Sequence, residues 1–243
     1  MRIAVIADIH SNDLALAAVL EDIASAGVDR IVHLGDAFNG PINPQGVVRL
    51  LKTIEAVHVR GNGERMVLGI GPEKATKSAL YARTKLTAED LAFAASWPAV
   101  AREEWLVACH GSPRSDTEYL LEKVTPTVVE LRSPQEVAEI LKDDGAALVL
   151  CGHTHVAATL SLPDGSLVVN AGSVGLPAYA DALPFLHKME AGSPHARYAL
   201  VERTGESWQA ALRAVAYDWE KAAALAIANG FPEWARALRT GRV

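Results

Sequence analysis

An α/β architecture of two stacked sheets with helices on the outside is what this sequence predicts, and three observations predict it. The first half alternates short apolar runs with helical periodicity. The second half is dominated by short strand-like runs. Half of the 243 residues are hydrophobic, enough to fill a sizeable core. A β-α-β-α-β alternation implies parallel strands joined by right-handed crossovers, so the sheets stack and the helices cover them. The length fits one large domain or two small ones.

The elements follow in order. Arg2 to Ala7 reads as a buried strand, rich in Ile and Val. Asn12 to Ala26 has helical spacing through Leu16, Val19, Leu20 and Ile23, and Gly27 suits the left-handed position past its end. Arg30 to Leu34 is the second strand, Gly46 to Lys52 a helix, and Ala56 to Val59 the third strand. Gly69 to Lys77 is turn-rich. Thr87 to Trp97 is a helix with Thr87 as N-cap and Pro98 beyond its end. Trp105 to Cys109 is another strand. Glu118 to Arg132 is ambiguous, with part of it expected as a surface loop. Ser133 to Lys142 is a helix, because Ser133 can cap it, Pro134 suits its first position and Glu136 follows. Strands are then expected at Ala147 to Cys151, Val156 to Leu162, Ser166 to Asn170, Arg197 to Arg203 and Ser207 to Val215. Leu162-Pro163-Asp164-Gly165 is a hairpin turn signal. The helical pieces Asp218 to Ala228 and Pro232 to Leu238 carry an apolar stripe of Trp219, Leu225, Trp234 and Leu238. The stripe reads as packing on the domain edge, with a dimer surface as the sharper alternative.

Charge narrows the class of function. The formal net charge is −6 and there is no dense Lys/Arg block, so neither extended nucleic acid nor a membrane is an expected partner. No apolar run reaches the ~18 residues of a membrane span, and Asp8 and His10 interrupt the N-terminal apolar stretch too early for a signal peptide. The two cysteines, Cys109 and Cys151, make no disulfide framework and read as small core hydrophobes facing away from their neighbours' side of the strand. A cytoplasmic protein is the expectation.

The informative pattern is Asp8-Ile9-His10, Gly35-Asp36, Gly61-Asn62-Gly63-Glu64, His110-Gly111 and Gly152-His153-Thr154-His155. Each group ends an apolar run, and residues at the ends of neighbouring strands converge. An Asp-x-His pair alone is weak, since an Asp after a strand is often a helix cap. If the segment is extended, Asp8 and His10 face one side. Asp36 follows a strand about 4.8 Å away and could bridge two cations. Two flanking glycines make a sharp loop the plain expectation around Asn62. Five elements each placing a candidate ligand at a strand's C-terminal end point to a metal site at the edge where α/β sheets gather ligands. Imidazole suits Mn, Fe, Co, Ni and Zn, whereas Mg prefers oxygen. His33 and His58 read as core or supporting residues, and His187 and His195 as solvated, although either could reach the cleft.

These motifs, in this order, resemble the calcineurin-like metallophosphoesterase superfamily, in particular its small single-domain bacterial and archaeal phosphodiesterases. Asn170-Ala171-Gly172-Ser173-Val174-Gly175 and the Tyr217-Asp218 helix extend the likeness to nearly the whole chain. The resemblance implies a four-layer α/β/β/α sandwich of two mixed sheets flanked by helices, as one domain over 1–243 with the 218–238 helices on its edge. It implies two divalent metal ions, manganese first, with Fe, Zn, Ni, Co or Mg as alternatives. One would be held by Asp8, His10, Asp36 and His155, the other by Asp36, Asn62, His110 and His153, with Asp36 bridging. Asn12 would lie near the bound phosphate, and Asp36, Asn62, His110 and Asn12 would carry the catalysis. One position departs from the pattern: many members place a His after the Asn to protonate the leaving group, and here that position is Gly63.

The implied activity is metal-dependent hydrolysis of a small-molecule phosphate ester, a phosphodiester or nucleotide foremost, by attack of a metal-bridging hydroxide. Without the acid, good leaving groups should react fastest. The alternative is a non-catalytic protein-binding scaffold on the same fold. A homo-oligomer is left open.

Overall fold

The computed structural model describes residues 1–71 and 74–243; Pro72 and Glu73, at the centre of the stretch read as turn-rich, lie outside the described residues. The chain runs β1 (Arg2–Ile6), α1 (Asp13–Ala26), β2 (Arg30–His33), α2 (Pro44–Leu51), β3 (Ala56–His58), α3 (Asn62–Leu68), α4 (Lys77–Lys85), α5 (Ala88–Ala95), β4 (Val100–Glu103) and β5 (Leu106–Cys109). It continues through β6 (Glu122–Val124), β7 (Val129–Leu131), α6 (Pro134–Leu141), β8 (Leu148–Cys151), β9 (Ala158–Ser161), β10 (Leu167–Asn170), β11 (Ala178–Asp181) and β12 (His187–Glu190). β13 (Ala196–Thr204), β14 (Ser207–Val215), α7 (Trp219–Ala228) and α8 (Glu233–Thr240) complete it.

Two five-stranded mixed sheets form the centre. The first has the order β14-β13-β1-β2-β3 and the second β4-β5-β8-β10-β9. β1, β2 and β3 are parallel, with Val5 opposite Val32 and His33 opposite His58, whereas β13 runs antiparallel to β1. In the second sheet β5, β8 and β10 are parallel and β4 and β9 are antiparallel edges. The layers follow from the two-residue period of a strand. Ile3 and Val5 of β1 meet Leu106, Ala108, Leu148 and Leu150 between the sheets. Ala4 and Ile6, pointing the other way, meet Leu16 and Val19 of α1. On the far face of the second sheet Val107, Cys109, Val149 and Cys151 pack beneath Val137 and Leu141 of α6. Each such Ile, Leu or Val side chain, fully buried, contributes roughly 1.5–3 kcal/mol. The result is the expected α/β/β/α sandwich. Both cysteines are buried in the α6 layer, and burial pushes their thiols up.

Local chemistry explains the helices that were anticipated. Asn12, Thr87 and Ser133 each accept a backbone N–H from the first turn, and Thr87 with Asp90 and Ser133 with Glu136 form capping boxes. Gly27 adopts φ 64°, closing α1. Several elements differ from expectation. The loop expected at Gly61-Asn62-Gly63-Glu64 is instead the first turn of α3, capped through Glu64, whose carboxylate accepts the Gly61 N–H at 3.0 Å. α4 is amphipathic only weakly and was not anticipated. The ambiguous stretch Glu118 to Arg132 contains the small β6–β7 hairpin. β11–β12 is a second small hairpin. α7 and α8 pack with Leu14 and Ile42 through Ala222, Ala226, Trp234 and Leu238, while Trp219 sits against the rings of His195 and Tyr217. Among the described residues, no helix is long and apolar enough to cross a membrane.

Candidate metal centre

The C-terminal ends of β1, β2, β3, β5 and β8 all face one edge of the sandwich, and the chain leaves each strand through a short polar turn. The turns are laced together. Asp8 donates its N–H to Gly35 O, His10 to Asp36 O and Ser11 to Ala37 O, at 3.0, 2.9 and 2.8 Å. Gly152 donates to His110 O at 2.7 Å. Gly35 is required here: at φ 96° its missing Cβ would overlap the backbone of Gly61, so only glycine lets the β2 and β3 exits pass this closely.

The ligand-bearing turns are conformationally strained. Among the described residues the non-glycine residues with left-handed φ are Asp8, His10, Ser11, Asp36, His153 and His155. All but Ser11 were singled out as metal ligands from the sequence. The backbone cost of such positions, of order 1–3 kcal/mol each, is characteristic of functional sites, although Asp and His tolerate the left-handed region better than most residues. Asp8 and His10 do converge, but through this left-handed turn and not through the pleat of an extended segment.

Two buried clusters result: Asp8, His10 and His155, and Asp8, Asp36 and His110. His155 Nε2 lies 3.3 Å from Asp8 Oδ1, and His10 Nε2 and His110 Nε2 lie 3.8 Å from the same oxygen. Asp36 offers Oδ2 to His10 Nε2 at 3.8 Å and Oδ1 to His110 Nε2 at 3.5 Å. Asp8 therefore belongs to both clusters, and Asp36 spans the same pair of imidazoles. Asn62 Oδ1 is 3.0 Å from His110 Nε2, and the His153 ring centroid is 5.0 Å from that of His110. Asn12 does not join them. Its Oδ1 accepts the Ala15 N–H, and its amide donates to Gly175 O and Tyr217 Oη.

The hydrogen bonds fix which ring nitrogens face inward. His10, His110 and His155 each place Nδ1 against a backbone carbonyl, of Asn39, Leu34 and Leu176, at 2.7, 2.7 and 2.6 Å. A carbonyl only accepts, so Nδ1 carries a hydrogen and Nε2 is the nitrogen turned to the site, a lone pair whenever the ring is neutral. The Nε2 atoms of His10 and His155 then face each other at 3.0 Å, and two lone pairs at that distance repel unless a cation lies between them. Asp8 Oδ1, in their midst, is buried without a hydrogen-bond partner, while Oδ2 accepts the His153 N–H at 2.9 Å. Neutral imidazoles held by carbonyls, with an orphaned carboxylate oxygen, are the donor set a divalent first-row cation takes.

The electrostatics agree. Burial pushes the Asp8 carboxyl up, but His155 and His110 bring it below the usual carboxylate range. Burial and the neighbouring His155 lower His10, and burial and His110 lower His153 well below the ordinary imidazole value. His110 moves the other way: burial lowers it, but the charges of Asp36 and Asp8 outweigh that and raise it.

Several supporting residues had no assigned role in the sequence reading. Glu64 is wholly buried and accepts four backbone N–H groups, from Asp36, Gly61, Ala37 and Phe38. Burial and the Asp36 charge push its carboxyl up to about 7, against those donors. Its place three residues into α3 was the available signal. Asn170 donates to Gly152 O and Thr154 Oγ1, holding the turn that carries His153 and His155. His187, expected to be solvated, is buried instead. Its Nδ1 bonds Phe185 O and its Nε2 lies 2.9 Å from Tyr119 Oη, which also meets Tyr179 Oη at 2.5 Å. Tyr119 and Tyr179 in turn stand edge-on to His153 and His155. His195 lies by Trp219 and Ser193, away from the clusters. His33 and His58 are core residues packed on Trp97.

A cleft of about 780 Å³ opens beside Asn62 and His153. It is walled by α3, the 115–119 loop, the β6–β7 hairpin and the turn at Leu183-Pro184.

Comparison with known proteins agrees with this geometry. Residues 1–190 match the calcineurin-like phosphoesterase superfamily domain. An uncharacterized protein of Methanocaldococcus jannaschii is 27% identical over 246 residues, covering 96% of this chain and 94% of its own. The crystal structure of a metallophosphoesterase from Sphaerobacter thermophilus is similar with a TM-score of 0.77 at 25% identity, covering 99% of this chain and 100% of that one. A hypothetical protein from Pyrococcus horikoshii OT3 shares the fold, with a TM-score of 0.77 at 19% identity over 99% of this chain and 98% of its own.

Proposed function

The chain belongs to the calcineurin-like phosphoesterase superfamily, and from that premise we propose that it hydrolyses a small phosphate ester, a phosphodiester or nucleotide foremost, at a pair of divalent cations. The observation that carries the reading is the pair of clusters sharing Asp8, with its orphaned oxygen among the Nε2 atoms of three imidazoles. Asp8, His10, Asp36 and His155 would hold one cation, and Asp36, Asn62, His110 and His153 the other. When bound, such a pair acidifies a water toward neutrality and offsets charge on the phosphoryl oxygens. Manganese heads the candidates on the family likeness, with Fe, Zn, Ni and Co behind it, and the four imidazoles weigh against magnesium.

The chain's own residues set the remaining conditions. Glu64 fixes the N–H groups of Asp36, Ala37 and Phe38 and so orients the Asp36 carboxylate. Asp36 Oδ1 also accepts the Gly63 N–H at 2.6 Å. His110 must lose its proton to bind a cation, so metal uptake releases protons and strengthens as pH rises. Gly63 explains the missing acid. A Cβ there would meet Asn39 Cβ at 2.7 Å and Asp36 Oδ1 at 2.8 Å, so this backbone has no room for a histidine beside Asn62. A departing group must leave without a side-chain proton from that position, which favours aryl and other weakly basic leaving groups.

The test is turnover of bis-p-nitrophenyl phosphate and p-nitrophenyl phosphate by chelator-stripped protein, with and without Mn²⁺, beside Asp36→Asn. Manganese-dependent turnover that Asp36→Asn lowers by at least ~10²-fold is expected. Turnover of neither ester with any divalent metal would overturn the reading.

A further inference from the structure

The cleft beside Asn62 and His153 has an uneven balance of charge. Each of its acidic residues has a partner for at least one oxygen, although Glu122 Oε2 is buried without one. Asp116 takes Arg65 through two hydrogen bonds, at 2.7 and 3.0 Å, and Glu118 takes Arg114 and Ser112. Asp181 Oδ1 accepts the Leu183 N–H at 3.0 Å. Glu122 is buried and turned onto Thr154, whose hydroxyl it accepts at 3.0 Å. Lys123, on the same hairpin, has Glu136 at 3.6 Å. Arg132 is different. It is half-buried, its Nε reaches Tyr119 O at 3.4 Å, and among the described residues no carboxylate lies within 4.0 Å of its guanidinium, whose charge acts on Glu118 and Glu122 only from farther off. A half-buried guanidinium so placed leaves its terminal N–H groups for a ligand, and its planar fork matches a phosphate edge-on.

The rest of the lining is Ser115 and Thr117 with an apolar and aromatic set, Met66, Tyr119, Val124, Leu183 and Pro184. A cleft of about 780 Å³ holds a nucleotide-sized group. One end meets the candidate metal centre at Asn62 and His153, and Arg132 lies in the same cleft on the segment that leaves β7.

We propose that Arg132 anchors a second phosphate on the departing arm of the substrate, so that the natural substrate is a phosphodiester or phosphoanhydride whose leaving group carries its own phosphate across an apolar body. This rests on the phosphoesterase reading above. It also fits the absence of an acid at Gly63: an arm held at its far end is oriented for departure by binding, not by protonation. In the reaction, water adds its oxygen to phosphorus and gives up a proton to solvent, the bond from phosphorus to the arm breaks with its electron pair going to the arm's oxygen, and the arm leaves as an oxyanion still holding the anion that Arg132 binds.

The experiment compares methyl phenyl phosphate with methyl 4-(phosphonomethyl)phenyl phosphate, diesters in which only the aryl arm departs readily. Manganese-loaded wild type should show a KM on the order of tenfold lower for the phosphonate ester, and Arg132→Gln should erase that ratio, a change of about tenfold. Arg132→Lys should restore part of it. Titration calorimetry of 4-(phosphonomethyl)phenol into metal-free protein should show the same order of weakening in Arg132→Gln. The proposal is overturned if the ratio is unchanged in Arg132→Gln, or if the phosphonate gives wild type no advantage. If wild type hydrolyses neither ester, the phosphoesterase reading falls, and the calorimetric comparison still decides whether Arg132 binds the anion.

Discussion

Replacing Glu64 with glutamine changes one atom in a residue that touches no candidate metal position, and the structure sets what that costs. Oε2 accepts the N–H groups of Asp36 and Gly61 at 2.8 and 3.0 Å, and Oε1 those of Ala37 and Phe38 at 2.7 and 3.2 Å. Every accepting direction of the carboxylate is used. A glutamine keeps one oxygen, and whichever way the amide turns its NH₂ faces two backbone donors. Two buried donors then go unsatisfied, at about 1–3 kcal/mol each, so Glu64→Gln should lose roughly 2–6 kcal/mol. That is a large share of the ~5–15 kcal/mol stability of a typical domain. The loss should also reach the metal centre, because either pair released, Asp36 with Gly61 or Ala37 with Phe38, includes a donor of the turn at Asp36, which sits at φ 56°. Urea denaturation at pH 8, with metal content measured on the same samples, reads both effects. A variant within about 1 kcal/mol of wild type that still binds a full metal complement would refute the view that this carboxylate holds the β2 and β3 exits together.

Three further outcomes are expected. Gly63→His should lower the melting temperature, by an overpacking cost of about 1–3 kcal/mol, without speeding hydrolysis of alkyl esters, since its Cβ would press on Asp36 Oδ1 at 2.8 Å; an unchanged melting curve would contradict this. Glu122→Gln should gain on wild type as pH rises. Burial pushes the Glu122 carboxyl up to about 7, so the folded state keeps a proton that the unfolded chain releases from about 4.5 upward, and wild type loses stability as pH climbs through 7. The gain, at most roughly 3 kcal/mol, should emerge between about pH 5 and 8 in paired denaturation curves, and a pH-independent difference would refute it. His58→Phe should resist acid better. Burial lowers His58 from 6.5 to about 4, so its contribution is complete above the unfolded value and is lost as pH falls from 6.5 toward 4. Phenylalanine keeps the stacking on Trp97, 4.9 Å between centroids. Circular dichroism across that range should show the variant unfolding at lower pH, and identical acid midpoints would count against the assignment.

What could be read from the chain was whatever local chemistry decides. β1, β5, β8 and β10 are buried on both faces, so each appears as an unbroken apolar run. α5 and α6 announce themselves through Thr87 and Ser133, because a cap is a contact over three residues, and α1 through its apolar spacing and Gly27. The polar groups at the ends of those runs, Asp8, His10, Asp36, His110, His153 and His155, were legible for the same reason, since a strand's end is visible wherever its apolar run stops.

Tertiary structure decided the rest. α3 begins at a Gly-Asn-Gly that reads as a loop, and it persists because Glu64 is anchored by the β2 exit, 28 residues earlier in the chain. β6–β7 and β11–β12 are too short and too exposed to leave a period, yet they frame the cleft. His187 looks polar in sequence and is buried, with a partner in Tyr119, 68 residues away, that no local pattern announces. The left-handed turns at Asp8, His10, Asp36, His153 and His155 have no signature of their own. Residue identity specified which groups were available to bind a metal. Their aim depended on backbone strain and hydrogen bonds between distant turns, energies that exist only once both sheets have come together.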